Sequence, residues 1–202
     1  MRMLRMLLIT TMIAVLFGGY AFCFTLTDDL KTEIEEKEWL VKVHPEDPAA
    51  YFDLAITYAY SNRIEDALSM LKKVDELDKD FPPKALEIYS KEVRFFPDDW
   101  KTRFRFAFAL YFNGKKEEAI REFKQIIEKH PDNVFSYAYI ATIYGELDNV
   151  DEAIDWCKKA IEVDSNVAAT HLLLAAAYYK NGQGLLGFQE TFEALRLRAL
   201  GY

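Results

Sequence analysis

The chain has 202 residues, a hydrophobic share of 51% and a formal net charge of −8 at pH 7. That hydrophobic share excludes an intrinsically disordered chain. The acidic balance argues against a nucleic-acid partner, because binding a phosphate backbone needs clustered Lys and Arg. Two cysteines, Cys23 and Cys157, are too few for a disulfide framework.

Residues 1–27 have the composition of a targeting segment. Two arginines precede an apolar run over residues 6–17, and two glycines end it, which is the layout of a secretory signal peptide. Apolar character continues to Phe24, however, and an apolar length of about 18 residues also suits an uncleaved anchor. The segment therefore predicts a protein that is exported, to a periplasm or the extracellular space, or anchored to a membrane by its N-terminus.

A single helix is predicted over residues 28–43. Leu30, Ile34 and Val41 share one of its faces, and we interpret the helix as a half-unit that caps those that follow. Its acidic side chains are expected on the opposite, solvated face, where they serve solubility. They are Glu33, Glu35, Glu36 and Glu38.

One helical pattern then recurs along the chain. Its clearest copy lies within residues 134–165, where apolar positions at helical spacing form a first helix and a small residue opens a second. The same order returns 34 residues earlier and 34 residues later, which indicates a tandem array. The central positions are Tyr137, Ile140, Ala141, Tyr144, Ala153 and Cys157; the earlier ones are Arg103, Phe106, Ala107, Leu110, Ala119 and Phe123; the later ones are His171, Leu174, Ala175, Tyr178, Gly187 and Thr191.

This pattern resembles the tetratricopeptide repeat, and Tyr51, Leu54, Ala55 and Tyr58, followed by Ala67, supply a further copy. The resemblance implies an all-α fold, a right-handed α-solenoid of antiparallel helix pairs. It implies about four repeats within one domain over residues 28–202. The repeats are expected over residues 48–81, 100–133, 134–167 and 168–200.

The period fails once, between the first and second repeats. Tyr51 and Arg103 are 52 residues apart, which is 18 more than one repeat. The extra stretch begins with two prolines and ends at Pro97, so it predicts one inserted helix over residues 82–97. Because Ala85 and Tyr89 match the second half of a repeat without its first half, we expect a kink or a helix out of register.

The sequence offers no constellation typical of an enzyme. Glycine-rich phosphate loops, His-Glu-x-x-His and nucleophile elbows are absent from it. His44, His130 and His171 have no second ligand at metal spacing, and Cys157 occupies an inward packing position. We therefore expect a non-enzymatic protein with no catalytic residue, no cofactor and no metal site.

In repeats of this kind the first helices line a concave groove, so the residues beside the packing positions are candidates to contact a partner. Here that groove is aromatic, which favours an apolar ligand unless the inserted helix covers it. The family's clamp for a C-terminal carboxylate is not matched, and Lys101 and Arg105 are the nearby cations. The candidate groove residues are Phe52, Ile56, Tyr60, Phe104, Phe108, Tyr111, Phe112, Phe135, Tyr139, Leu172 and Tyr179.

These features predict a protein-protein interaction scaffold or adaptor that holds an apolar peptide or helix of a protein partner. The alternative is a structural, self-assembling protein of the cell envelope, a homo-oligomer formed through the C-terminal helix. That helix is more apolar than a terminal repeat requires. No nucleic acid is expected as a partner, and a membrane contact is expected only through residues 1–27, if these are not cleaved.

Overall fold

The computed structural model describes residues 27–201, so the targeting segment predicted over residues 1–27 lies, apart from Thr27, outside the described residues. Within that range the chain forms ten α-helices and no strand, which confirms the predicted all-α solenoid. The helices are α1 (Asp28–Val43), α2 (Pro48–Ala59), α3 (Ile64–Leu77), α4 (Phe81–Phe95), α5 (Trp100–Phe112), α6 (Lys116–Lys129), α7 (Val134–Glu146), α8 (Val150–Val163), α9 (Ala168–Lys180) and α10 (Gly184–Ala199).

Short polar residues start the first helix of most repeats. The side chains of Asp47, Asp99 and Asn133 each accept a backbone N–H bond from the first turn of α2, α5 and α7, which satisfies a donor that the helix itself leaves unpaired. Two of the turns between paired helices contain Gly114 and Gly182 at φ values of 72° and 73°, a conformation that glycine adopts without steric cost.

Helices α5 to α10 form three antiparallel pairs that stack in sequence, each helix packing on the next. Small residues occupy the crossings, and Ala107, Ala119, Ala141 and Ala153 are all buried. In the last pair, the ring of Tyr179 lies 2.9 Å from where a Cβ on residue 187 would stand. Glycine at this position therefore allows α9 and α10 to approach.

One pair of repeat positions joins the two helices of each of these units. Arg103 Nη1 lies 2.5 Å from Glu122 Oε2 in α5–α6, and His171 Nδ1 lies 2.7 Å from Glu190 Oε2 in α9–α10. In α7–α8 the equivalent residues are aromatic, and the rings of Tyr137 and Trp156 are 5.9 Å apart. The register found in the sequence is thus also a register of contacts.

The inserted helix, α4, takes the place against α5 that the second helix of the first repeat would otherwise occupy. It packs along α5, and the Asn113 side chain at the end of α5 donates to the Pro82 carbonyl at a distance of 2.8 Å. Ala85 and Tyr89, which match the second half of a repeat, are buried in this interface. The helix that leaves the stack is α3, which packs chiefly on its own partner α2.

The insertion reverses the direction of α2 relative to the later first helices. Phe52, near the start of α2, contacts Phe112 at the end of α5, with ring centroids 5.9 Å apart. Tyr60, which ends α2, contacts Trp100 at the start of α5 at 5.4 Å. An antiparallel array reverses direction at each helix, so one added helix makes α2 and α5 antiparallel where a regular array would keep them parallel.

Candidate partner-binding site

The structure divides the eleven candidate groove residues into a buried set and an accessible set. Six lie in the core and expose no more than 5% of their surface. Five keep solvent contact along α5, α7 and α9. The buried residues are Phe52, Ile56, Tyr60, Phe104, Phe108 and Phe135, and the accessible ones are Tyr111, Phe112, Tyr139, Leu172 and Tyr179.

Helix α2 fills the part of the groove nearest the N-terminus, with α4 beside it. The ring of Phe52 contacts Phe108 of α5 at 6.0 Å and Phe81 of α4 at 5.6 Å, both edge-on. The ring of Tyr60 contacts Phe104 edge-on at 5.3 Å. Such edge-to-face contacts stabilise aromatic clusters beyond the area that they bury, so this half of the groove belongs to the folded core.

The rest of the groove is an open cavity of about 720 Å³. Its floor is formed by first helices, through Phe108, Tyr111 and Phe112 of α5, Phe135 and Tyr139 of α7, and Leu172 of α9. Its opposite wall is the start of α3, whose Leu68 and Leu71 face it. The cavity thus brings together six of the eleven candidates, whereas Phe52, Ile56, Tyr60, Phe104 and Tyr179 lie outside it.

The interior of the cavity is apolar and its mouth is charged. Arg63 Nη1 lies 3.1 Å from Glu38 Oε1, and Arg63 Nε lies 2.6 Å from Asp66 Oδ2. On the other side, Arg198 of α10 forms an ion pair with Glu65 of α3 at 3.0 Å. A ligand would therefore place its apolar groups inside and its polar groups at this rim.

One polar side chain within the floor is already bonded. The hydroxyl of Tyr111 donates to Glu146 Oε1 at 2.5 Å, and burial together with that carboxylate raises the pKa of Tyr111 above its usual value. The hydroxyl therefore stays protonated at neutral pH. Tyr111 therefore presents an aromatic ring to the cavity and no charge.

A network of charged side chains joins α1, α2 and α5. Lys37 Nζ lies 2.7 Å from Asp53 Oδ2 and 3.3 Å from Glu33 Oε1. Arg105 Nη2 lies 3.0 Å from Glu33 Oε1, and Lys101 pairs with the other oxygen of Glu33. The two cations that the sequence offered to a ligand are thus neutralised by the chain's own carboxylates.

These contacts keep Glu33 ionised. Burial alone would raise its pKa, but hydrogen bonds from Lys101 and Tyr60 and the charge of Lys37 outweigh burial and lower the pKa to about 2. Burial also lowers the pKa of Lys37, against the opposing charge of Asp53. Arg105 Nε lies 2.9 Å from Asp53 Oδ1 at an angle that forms no hydrogen bond, and this buried nitrogen has no hydrogen-bond partner.

The sequence did not indicate this network, because Glu33 was expected on a solvated face. In the structure its side chain is only 15% exposed, and the neighbouring Lys37 is buried. Glu35 and Glu36 do remain exposed. The contacts of Glu33 span 68 and 72 residues, and helical spacing within α1 alone carries no signal for partners that distant.

Within the described residues, His171 and Cys157 have packing roles. His171 is buried between Glu190 Oε2 and the Ser165 carbonyl, at 2.7 and 3.1 Å. Cys157 is buried, and burial, assisted by Glu190, raises the pKa of its thiol to about 12. Over residues 27–201, no three His, Cys, Asp or Glu side chains converge as a metal ion would need. No helix of the same range has the length and apolar content to span a bilayer.

Comparison with known proteins places this geometry in a family context. Two family models, both described as tetratricopeptide repeat, match residues 48–81 and 104–168. No curated protein matches the chain.

Solved structures of MamA are similar in fold. One crystal structure of MamA aligns with a TM-score of 0.50 at 18% identity over 86% of this chain and 91% of that one. MamA of MSR-1 aligns with a TM-score of 0.53 at 20% identity over 77% and 98%. MamA of AMB-1 gives 0.50 at 21% identity over 75% and 92%. At these identities the likeness shows a shared fold.

Proposed function

We propose that this chain, a tetratricopeptide-repeat protein and as such a protein-protein interaction scaffold, binds an apolar peptide or helix in the cavity between α3 and the first helices of the later repeats. The proposal is supported by one observation above all. A cavity of about 720 Å³, floored by aromatic side chains of α5 and α7, lies between α3 and the first helices of the later repeats. This volume lies in the range of typical ligand-binding pockets, about 300–1,000 Å³.

The shape of the cavity favours recognition of a helix by its side chains. Space of this size holds several large apolar side chains, not a whole helix about 10 Å across. The partner helix would therefore lie over the mouth and insert anchors at positions i, i+3 and i+4 or i+7. Charged residues at its edges would meet the ion pairs of Arg63 and Arg198 at the rim.

Affinity capture from the membrane and envelope fraction tests this function. The wild-type chain is compared with Ala138→Phe, which fills the cavity from its α7 side. The matched control is Glu162→Phe, which adds the same ring at an exposed position of α8. The proposal expects a partner that is captured by the wild type and the control but at least about 10-fold less by Ala138→Phe. Equal capture by all three chains would overturn it.

The cellular location of the protein is proposed from the composition of its N-terminal segment alone. Two arginines followed by an apolar run support export or tethering to a membrane. Fractionation followed by N-terminal sequencing of the mature protein tests this. A full-length chain in the cytoplasmic fraction would overturn it.

Self-assembly as a structural envelope protein is a second candidate function, and the last helix supports it. Several apolar side chains of α10 are exposed, among them Leu185, Leu186 and Phe188, as is Leu200, which follows the helix, whereas Leu197 is buried. Contiguous apolar surface of this kind usually marks an interaction site. Sedimentation of the purified chain tests the candidate, and a monomer at about 100 µM, far above the concentration at which stable oligomers dissociate, would count against it.

A further inference from the structure

Helix α10 carries a stripe of exposed apolar residues on the face turned away from α9. Leu185, Phe188, Phe192 and Leu195 are each between 57% and 74% exposed. The opposite face supplies the packing, since Ala194 and Leu197 are fully buried. Among the described helices, α10 packs principally on α9, so the stripe is not covered by them.

The spacing of the stripe is that of a helix–helix seam. Its residues follow one another at intervals of three, four and three, which is the a/d pattern of a coiled coil. A terminal repeat that only needed to be soluble would present polar residues here. The stripe instead has the geometry to receive the knobs of a second helix.

The order of side chains along the stripe is the same from both ends: leucine, phenylalanine, phenylalanine, leucine. A two-fold interface requires this kind of self-complementarity, because the same patch must match itself when it is turned round. We propose that the stripe binds the same stripe of a second copy of this chain, with the two α10 helices antiparallel. Leu185 then lies opposite Leu195 of the second copy, and Phe188 lies opposite Phe192.

The charges beside the stripe are compatible with the antiparallel arrangement. Arg196 and Arg198 flank its C-terminal end, and the residues that flank its N-terminal half, Gly184, Gln189 and Thr191, are uncharged. In an antiparallel pair Arg196 lies across from Gly184 of the second copy. A parallel pair would place the arginines of both copies at the same end of the seam, whereas an antiparallel pair places them at opposite ends. Each arginine also pairs with a carboxylate of its own chain, Arg196 with Glu193 and Arg198 with Glu65, which reduces the repulsion between the two copies.

A bilayer surface fits the stripe less well than a second copy does. Interfacial helices have polar faces rich in Lys and Arg, whereas the charged residues of α10 are two arginines and two glutamates. The net charge of −8 also disfavours an anionic membrane. The inference rests on the second candidate function, self-assembly, and specifies the surface and orientation through which it occurs.

Disulfide trapping in whole cells tests the orientation. The full chain, with Cys23→Ser to remove background, is expressed as two tagged copies that carry Leu185→Cys and Leu195→Cys. Antiparallel pairing places these two positions opposite each other, within the about 7 Å between Cα atoms that a disulfide spans. Two copies of residue 185 would be about 15 Å apart along the axis. The mixed disulfide is therefore expected at least about 10-fold above either homotypic one.

A variant pair shows whether the stripe drives the contact. Phe188→Glu with Phe192→Glu should abolish the mixed disulfide, while Phe95→Glu, which changes an exposed phenylalanine of α4, should leave it intact. Thermal melts by circular dichroism confirm that the helices remain folded. Loss of the disulfide with Phe95→Glu as well would overturn the assignment to α10.

The other outcomes separate this inference from self-assembly in general. Dominant homotypic disulfides would overturn the antiparallel order. Amine-reactive crosslinking that shows homo-oligomers without the mixed disulfide would overturn the inference and leave the second candidate standing. Monomers in both assays would overturn both. Crosslinks from α10 to a different protein, or flotation with lipid vesicles that requires Phe188, would also overturn the inference.

Discussion

Replacing Glu33 by glutamine tests the charged network that joins α1 to α5. The substitution keeps the size of the side chain but removes the charge that pairs with Lys37, Lys101 and Arg105. Asp53 then remains the carboxylate for Lys37 and Arg105, and Lys101 loses the carboxylate with which it pairs. We expect Glu33→Gln to destabilise the fold, and part of that loss to depend on pH.

The magnitude follows from the pKa of Glu33. A carboxyl group whose pKa falls from its ordinary value of 4.5 to about 2 on folding contributes about 3 kcal/mol at neutral pH. Because the folded pKa is the lower one, this stabilisation is complete above pH 4.5 and is lost as the pH falls towards 2. At pH 3 about 1.5 kcal/mol should remain.

Urea unfolding of the purified protein, followed by circular dichroism at pH 7, 5, 4 and 3, measures this effect. The difference in unfolding free energy between wild type and Glu33→Gln should shrink by about 2 kcal/mol from pH 7 to pH 3. The control is Glu36→Gln, on the exposed face of the same helix, which should change stability by less than about 0.5 kcal/mol. A Glu33→Gln difference that is constant across this range would refute the reasoning.

Three further results are expected from the packing. Phe108→Ala should cost about 3–5 kcal/mol of unfolding free energy because the Phe108 ring is fully buried. Phe112→Ala should cost less than half as much because the Phe112 side chain is partly exposed. Equal losses in urea titrations would contradict the division of the groove residues into a buried and an accessible set. Cys157, with its pKa raised to about 12 by burial, should resist iodoacetamide at pH 8 until the chain unfolds, and labelling of the native protein at the rate of a free thiol would show otherwise. Arg198→Ala should change stability by less than about 0.5 kcal/mol because its pair with Glu65 is exposed, and a loss above 1 kcal/mol by the same titration would give that contact a larger role.

Sequence periodicity was sufficient for the helices and for the stacking of the last three units. Each first helix repeats its apolar residues at helical spacing, and Asp47, Asp99 and Asn133 set the starts of three helices through their side-chain caps. Positions such as Ala141 and Cys157 are buried as their repeat register requires. These features are local, so a single sequence contains them.

The division of the groove could not be read from the register alone. A repeat pattern fixes which face each residue occupies on its own helix, but not the direction of α2 against α5. The signal that bears on direction is the spacing of 52 residues between Tyr51 and Arg103, since one extra helix reverses the array. If the spacing had been used to infer that α2 is antiparallel to α5, it would have placed Phe52 opposite the end of α5.

The wall of the cavity that α3 forms could not be predicted from local sequence patterns either. Leu68 and Leu71 of α3 face the groove only because α4 has displaced α3 from the stack. In the same way, Lys101 and Arg105 were visible as groove cations, but their neutralisation by Glu33 depends on how α1 lies against α5. Both the cavity wall and the neutralised cations depend on contacts between helices that are distant in the sequence.

Photo-crosslinking in whole cells tests the central claim, that the cavity receives a partner, most directly. A photoreactive phenylalanine at Phe112 or Tyr139, both lining the cavity, should crosslink to a second polypeptide. The same group at Tyr179, an exposed aromatic outside the cavity, should not, and Ala138→Phe should abolish the crosslinks from Phe112 and Tyr139. Crosslinks from these positions only to α3 of the same chain would contradict the account, because they would show a cavity closed by the protein itself.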